Sequence, residues 1–120
     1  MGRYYWGDIE GKFWFGVQPT SDLLEFGHDE SESRLNVWIP FDDLQDIAEK
    51  LRTLKKAFRK HGITFQAFMT RLDKGSTKAK EAKTAKWQTM CREASLIELG
   101  EKILIELKKK KDDLYISGDY

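Results

Sequence analysis

Apolar and polar positions alternate in two short stretches near the start of the chain. In KFWFGVQ, Lys12 to Gln18, an extended backbone puts Phe13, Phe15 and Val17 on one side and Trp14, Gly16 and Gln18 on the other. In RLNVWIP, Leu35, Val37 and Ile39 alternate with Asn36 and Trp38 until Pro40 stops the strand. Arg3 to Trp6 is the expected partner of the first strand, joined through a loop with a glycine at each end, Gly7 and Gly11. A third alternation, Leu114 and Ile116 against Tyr115 and Ser117, predicts a short strand returning to the sheet.

The period changes between these strands. Leu44, Ile47, Ala48, Leu51, Leu54 and Phe58 recur at helical spacing. Asp42 is the expected N-cap, with Gln45 completing a capping box, and Gly62 is the expected stop. Acids gather at the start of this helix and bases at its end, as its dipole favours. Thr64 is placed to cap a second helix, in which Phe65, Phe68, Met69 and Leu72 share a face. Trp87, Met90, Cys91, Ala94 and Ile97 form a stripe on a last helix. Further along, Leu96, Leu99, Ile103, Leu104, Ile105 and Leu107 nearly encircle its axis, which predicts burial on several sides, as at a subunit contact. Ser95 with Glu98 forms a second capping-box pattern, so a break near Ala94 is expected. Leu23, Leu24 and Phe26 are expected to make one helical turn plugging the core edge, followed by a solvated loop from Gly27 to Ser33.

These elements give a single α+β domain over residues 1–120. A small antiparallel sheet (hairpin 3–18, strand 34–39, strand 114–117) is packed on one face by helices at about 42–61, 64–72 and 85–111. If Phe13, Phe15, Val17, Leu35, Val37, Ile39, Leu114 and Ile116 face the helices, the other face carries Trp14, Trp38 and Tyr115, joined by Tyr4 and Trp6 or else by Tyr5. A solvated sheet face has no need of aromatics. They fit either a second packed layer or a stacking surface for a base, a sugar or the apolar anchor of a partner.

Charge changes the picture more than composition does. The formal net charge is only +1, but residues 1–32 carry two bases and seven acids, whereas residues 50–92 carry 13 bases and two acids. Lys55, Arg59, Lys74, Lys78, Lys80, Lys83 and Lys86 are candidates for contacting phosphates. One version is a helix-turn-helix, with Phe65–Leu72 first, Asp73–Ser76 as the turn and Thr77–Met90 as the reading helix. Against it, residues 77–86 offer only alanines for packing and no Arg, Asn or Gln to read base edges.

Chemistry beyond binding has thin support. Asp8 and Glu10 could hold a cation with His28, the basis of a remote metal-dependent hydrolase reading, but no third acid stands at a recognised spacing. The two acids are better read as keeping the hairpin loop solvated. No phosphate loop, Rossmann glycine pattern or Cys-x-x-Cys pair occurs, and no cofactor is expected. Cys91 is the single cysteine, so no internal disulfide forms and a reducing, cytoplasmic setting is expected. No apolar run approaches the roughly 20 residues of a membrane span.

The stretch Tyr4 to Gln18, YYWGDIEGKFWFGVQ, resembles the opening of a set of uncharacterised small proteins of large DNA viruses and environmental viral sequences. Glu98 to Leu104, ELGEKIL, is similar to a segment near their last helix. The resemblance implies a viral or mobile-element origin and a role such as binding a host factor; it brings no activity, cofactor or catalytic residue with it. The expected function is a non-enzymatic binding module acting through protein–protein contact, with a partner protein or as a homodimer. The alternative is nucleic-acid binding by the basic segment.

Overall fold

The computed structural model describes residues 3–14, 18, 20–29, 35–73 and 85–118. Its sheet contains β1 (Tyr4–Gly7), β2 (Gly11–Lys12), β3 (His28–Asp29), β4 (Leu35–Ile39) and β5 (Leu114–Gly118), in the order β2-β1-β5-β4-β3. All four pairings are antiparallel. Strand β5 comes last in sequence yet lies at the centre. Ile116 sits between Gly7 of β1 and Val37 of β4, and Ser117 between Trp6 and Asn36.

Helices α1 (Leu44–Phe58), α2 (Phe65–Asp73) and α3 (Ala85–Lys110) complete the α+β fold. Tyr5, Val37, Ile39, Leu114 and Ile116 project from the inner sheet face into one apolar cluster. Ile47 of α1 and Leu99, Ile103 and Leu107 of α3 close it. The 3-10 turn Thr20–Glu25 adds Leu23, and Phe26 follows it into the same cluster, so the expected plug at the core edge is present. A second cluster joins Leu51 and Phe58 of α1, Phe65 and Phe68 of α2, and Met90, Ala94 and Ile97 of α3. The Phe58 ring meets Phe68 edge-on at 5.3 Å and Phe65 at 6.2 Å. Along α1 the first cluster gives way to the second, and along α3 the reverse, so the two helices run antiparallel.

Gly100 lets them approach. A Cβ there would lie 2.7 Å from Phe26 Cζ, closer than carbon atoms tolerate, and 3.1 Å from Leu51 Cδ1, which would have to give way. Helix α3 is thus enclosed by its own fold: the ring of apolar residues expected at a subunit contact is largely internal, and only Ile105 is strongly exposed.

Several expectations need correction. The first hairpin is shorter than residues 3–18: its second strand ends at Lys12, although Phe13 N–H still donates to the Arg3 carbonyl at 2.9 Å. Trp14 and Gln18 bond each other in both directions, N–H to Oε1 at 2.9 Å and N–H to carbonyl at 3.0 Å. Arg3 also donates to the Gln18 carbonyl. Phe15 and Val17 lie outside the described residues. Asp42 does not cap α1. A 3-10 turn, Phe41–Asp43, leads into the helix, and neither it nor α1 has a bond from its own capping side chain. Helix α3 does not break near Ala94. Ser95 is buried and its Oγ donates back to the Arg92 carbonyl at 2.8 Å, a bond that a helix interior accommodates. His28 and Asp29, expected in a solvated loop, pair with Trp38 and Val37. Gly62, at φ +83°, does end the first helical segment, and Thr64 Oγ1 accepts the Ala67 N–H of α2.

Asp22, just before the core-edge plug, is buried. Arg92 of α3 grips it with two bonds of 2.9 and 2.6 Å. Burial pushes the Asp22 carboxyl up, against the opposing pull of Arg92 and a bond from Gln18. Gln18 Nε2 reaches on to the Ser95 carbonyl at 3.2 Å. This network fastens the segment before Leu23 to the middle of α3.

Two stability measurements check this architecture. Ile116→Ala, which empties a fully buried site at the sheet centre, should cost about 2–5 kcal/mol in urea unfolding. Arg92→Ala should destabilise more than Asp22→Ala, because the first strands a buried carboxylate while the second leaves a guanidinium that reaches water. In Arg92→Ala the Asp22 pKa should rise further. Stability relative to the parent is then retained below the unfolded carboxylate value of about 3.9 and lost as pH rises through the raised folded value. Thermal midpoints across pH read this directly.

Candidate partner-binding face

The antiparallel register sorts the aromatics. Tyr5 points inward, its ring edge-on to Phe13 at 5.1 Å and its hydroxyl accepting from Lys102 Nζ at 2.9 Å. Tyr4 and Trp6 therefore take the outer face. Trp6 lies in one cross-strand row with Ser117 and Asn36, and Tyr115 in the next with Trp38 and His28. Tyr4 is 53 % exposed, Trp6 45 % and Tyr115 53 %; Trp38 is half-buried. Four of the five residues expected on this face are there.

Trp14 is not. It packs against the helix-side cluster, and its indole N–H donates to Glu98 Oε1 of α3 at 3.3 Å. The alternation that placed it outward fails because the strand has already ended.

Polar groups fix the face from its ends. Asp113, just before β5, accepts from the Trp38 indole N–H at 3.0 Å and the Phe41 backbone N–H at 2.8 Å. One carboxylate thereby orients a platform indole and does the capping work at the entry to α1 that Asp42 was expected to do. The Phe41 N–H first, and the Trp38 N–H with it, hold the Asp113 carboxyl below the ordinary range. Asp8 is structural too. Its Oδ2 accepts from the Tyr115 N–H at 2.7 Å and from Lys110 Nζ at 3.1 Å, so it does more than keep a loop solvated. Lys110 also bonds the Asp113 carbonyl at 2.8 Å, and its ammonium lies 6.0 Å from the Tyr115 ring centroid. On the far edge Lys12 stands 6.0 Å from the Tyr4 ring. His28 lies 5.7 Å from Trp38 and 3.4 Å from Asp43. Ser117 Oγ donates to Asn36 Oδ1 at 2.7 Å.

The metal-site grouping of Asp8, Glu10 and His28 does not assemble. Asp8 and His28 stand on opposite sides of β5 and β4, roughly 14 Å apart at about 4.8 Å per strand. Among the described residues no group of three or more His, Cys, Asp or Glu could hold a metal ion. No helix among them is long and apolar enough to cross a membrane.

The described members of the basic candidate set belong to a different surface. Helices α1 and α3 pack on the inner sheet face, so Lys55, Arg59 and Lys86 are on the helical side, away from Trp6 and Tyr115. Lys55 pairs with Glu101 at 2.5 Å and Lys50 with Glu25 at 3.0 Å, while Arg59 and Lys86 are exposed. Lys74, Lys78, Lys80 and Lys83 lie outside the described residues, as does most of the helix-turn-helix segment after Asp73. The chain matches no family model, and no curated protein or solved structure matches it.

The Asp113 contact gives a pH prediction. Its depressed folded pKa contributes stability that is present above about pH 3.9 and lost as pH falls through the folded value. Asp113→Asn should lower the thermal midpoint at neutral pH, and its gap to the parent should close under acid, in melts between about pH 2 and pH 7.

Proposed function

We propose that the protein is a non-enzymatic binding module that docks a protein partner on the outer sheet face. The observation that carries this reading is the open group of Tyr4, Trp6, Tyr115 and Trp38 on one sheet face. Tyr and Trp are the side chains that most often anchor protein contacts, since they bury large areas with little rotamer entropy. The charge around them supports a protein over a nucleic acid. Lys12 and Lys110 are offset by Asp8, Asp43 and Asp113 at the same surface, and of the candidate bases the described Lys55, Arg59 and Lys86 are on the helical side. Among the described residues, a phosphate backbone would meet no continuous positive track beside the stacking rings. The likeness of Tyr4–Gln18 to small viral proteins supports a host factor as the partner; a second copy of the chain is the other protein occupant of the same face.

A photo-crosslinking residue at Ser117, the centre of the face, tests this in the producing cell. The expected product is a discrete protein adduct that Trp6→Ala and Tyr115→Ala abolish and that the same probe at Lys60 does not give. These exposed substitutions should leave urea stability within about 0.5 kcal/mol of the parent. Adducts with nucleic acid alone, or equal adducts from both positions, would refute the proposal. Strong, salt-sensitive retention on heparin that survives both aromatic substitutions would favour the basic segment instead.

A further inference from the structure

Strand β5 is the last of the described elements, yet it fills the middle of the sheet. Without it β1 and β4 would flank an empty slot, each with a row of unpaired backbone N–H and C=O groups. Such edges are templates for a strand from another chain. The connection that delivers β5 is short: only Lys111, Asp112 and Asp113 separate it from α3. We propose that β5 exchanges between two copies of this chain, so that each sheet of the resulting dimer is completed by the strand of the other copy.

The hinge is strained. Lys111 has φ +55°, the one positive value outside glycine among the described residues. A lysine there crowds its Cβ against the following carbonyl oxygen, a clash that glycine escapes. Its N–H still donates to the Leu107 carbonyl at 2.9 Å, so the chain must leave the helix and turn towards the sheet within a residue or so. Lys111 and Asp112 are exposed, and neither belongs to an apolar cluster. Opening the hinge therefore returns Lys111 to the ordinary backbone region and uncovers no buried side chain of its own. Short hinges under strain favour exchange of the element they carry.

The strand itself loses nothing by moving. In the exchanged dimer Leu114 and Ile116 enter the same apolar cluster, and Ile116 again lies between a Gly7 and a Val37. Asp113 again accepts from a Trp38 indole N–H and a Phe41 N–H. The balance is between strain released at two hinges and the entropy of association, and it shifts towards the dimer as concentration rises. The outer face changes its ownership. Tyr115 and Ser117 travel with β5, whereas Tyr4, Trp6 and Trp38 stay behind, so each aromatic face of the dimer is built from two chains. The exchange does not depend on what that face binds.

Asn36 and Ser117 pair in register between β4 and β5, with side-chain oxygens 2.7 Å apart. Asn36→Cys with Ser117→Cys, in a Cys91→Ser background, therefore reports which chain supplies β5. The whole chain is refolded from urea at low and at high concentration, oxidised, and run on a denaturing gel without reductant, with light scattering on unoxidised samples. Refolding at high concentration should give a dimer whose disulfides join two chains, and dilution should shift the product to monomers with internal disulfides. Lys111→Gly, which relieves the hinge, should lower the dimer-to-monomer ratio about tenfold or more. Lys111→Val, whose β-branched side chain resists positive φ more than lysine does, should raise it. The glycine variant decides alone if the valine variant folds poorly. Monomers at every concentration would overturn the proposal. So would a dimer containing only internal disulfides, which would mark association of closed chains, or a ratio that Lys111→Gly leaves unchanged.

Discussion

The whole sheet depends on the pairing of β5 with both β1 and β4. Those two strands never touch; Gly7 and Val37 meet only through Ile116. Hydrogen bonds that span more than 100 residues on one side therefore hold the two halves together. Contacts this distant in sequence are slow to form, because a long loop must close before any bond rewards it. Until residues 114–118 have been synthesised, Tyr5, Val37 and Ile39 have no common surface to join, and α3 has no sheet to cover. The helix-side cluster of Phe58, Phe68 and Ala94 needs none of these strands and can gather first.

The same insertion positions the aromatic face. Lys110, Asp113 and Asp8 form a corner where α3 ends and β5 begins, and each bond there has a second beneficiary. Asp8 completes the hydrogen bonding of Tyr115 while holding the end of β1. Asp113 orients Trp38 while ordering the chain that enters α1. The platform rings thus stand on strands whose ends are pinned by carboxylates. For the proposed docking role such rigidity is a gain, since little ordering entropy remains to be lost on binding.

Periodicity revealed the elements well. The spacing from Leu44 to Phe58, the glycine after His61 and the parity of Leu114 to Ser117 each depend on neighbours within one element, and each appears where the local pattern puts it. Parity also placed Trp38 and Tyr115 outward, and the register resolved the choice between Tyr5 and its neighbours. The misses share a cause. Trp14 left the sheet because Gln18 and Glu98 offered its N–H groups better partners, one of them 84 residues away. The roles of Asp22 and Asp113 had no local signal at all, since Arg92 and Trp38, each at least 70 residues distant, determine what they do.

The sheet's margins carry one more consequence. Both outermost strands, β2 and β3, form ladders only two residues long among the described residues, and a lysine stands on one of them. Edges this brief, one of them charged, present few unpaired backbone groups in a row and give a further strand little to extend. A protein that displays four aromatic rings on an open sheet would otherwise invite fibre growth along its edges. Among the described residues the exposed aromatic area is thus confined to the broad side, and the rim offers an extended chain little to pair with.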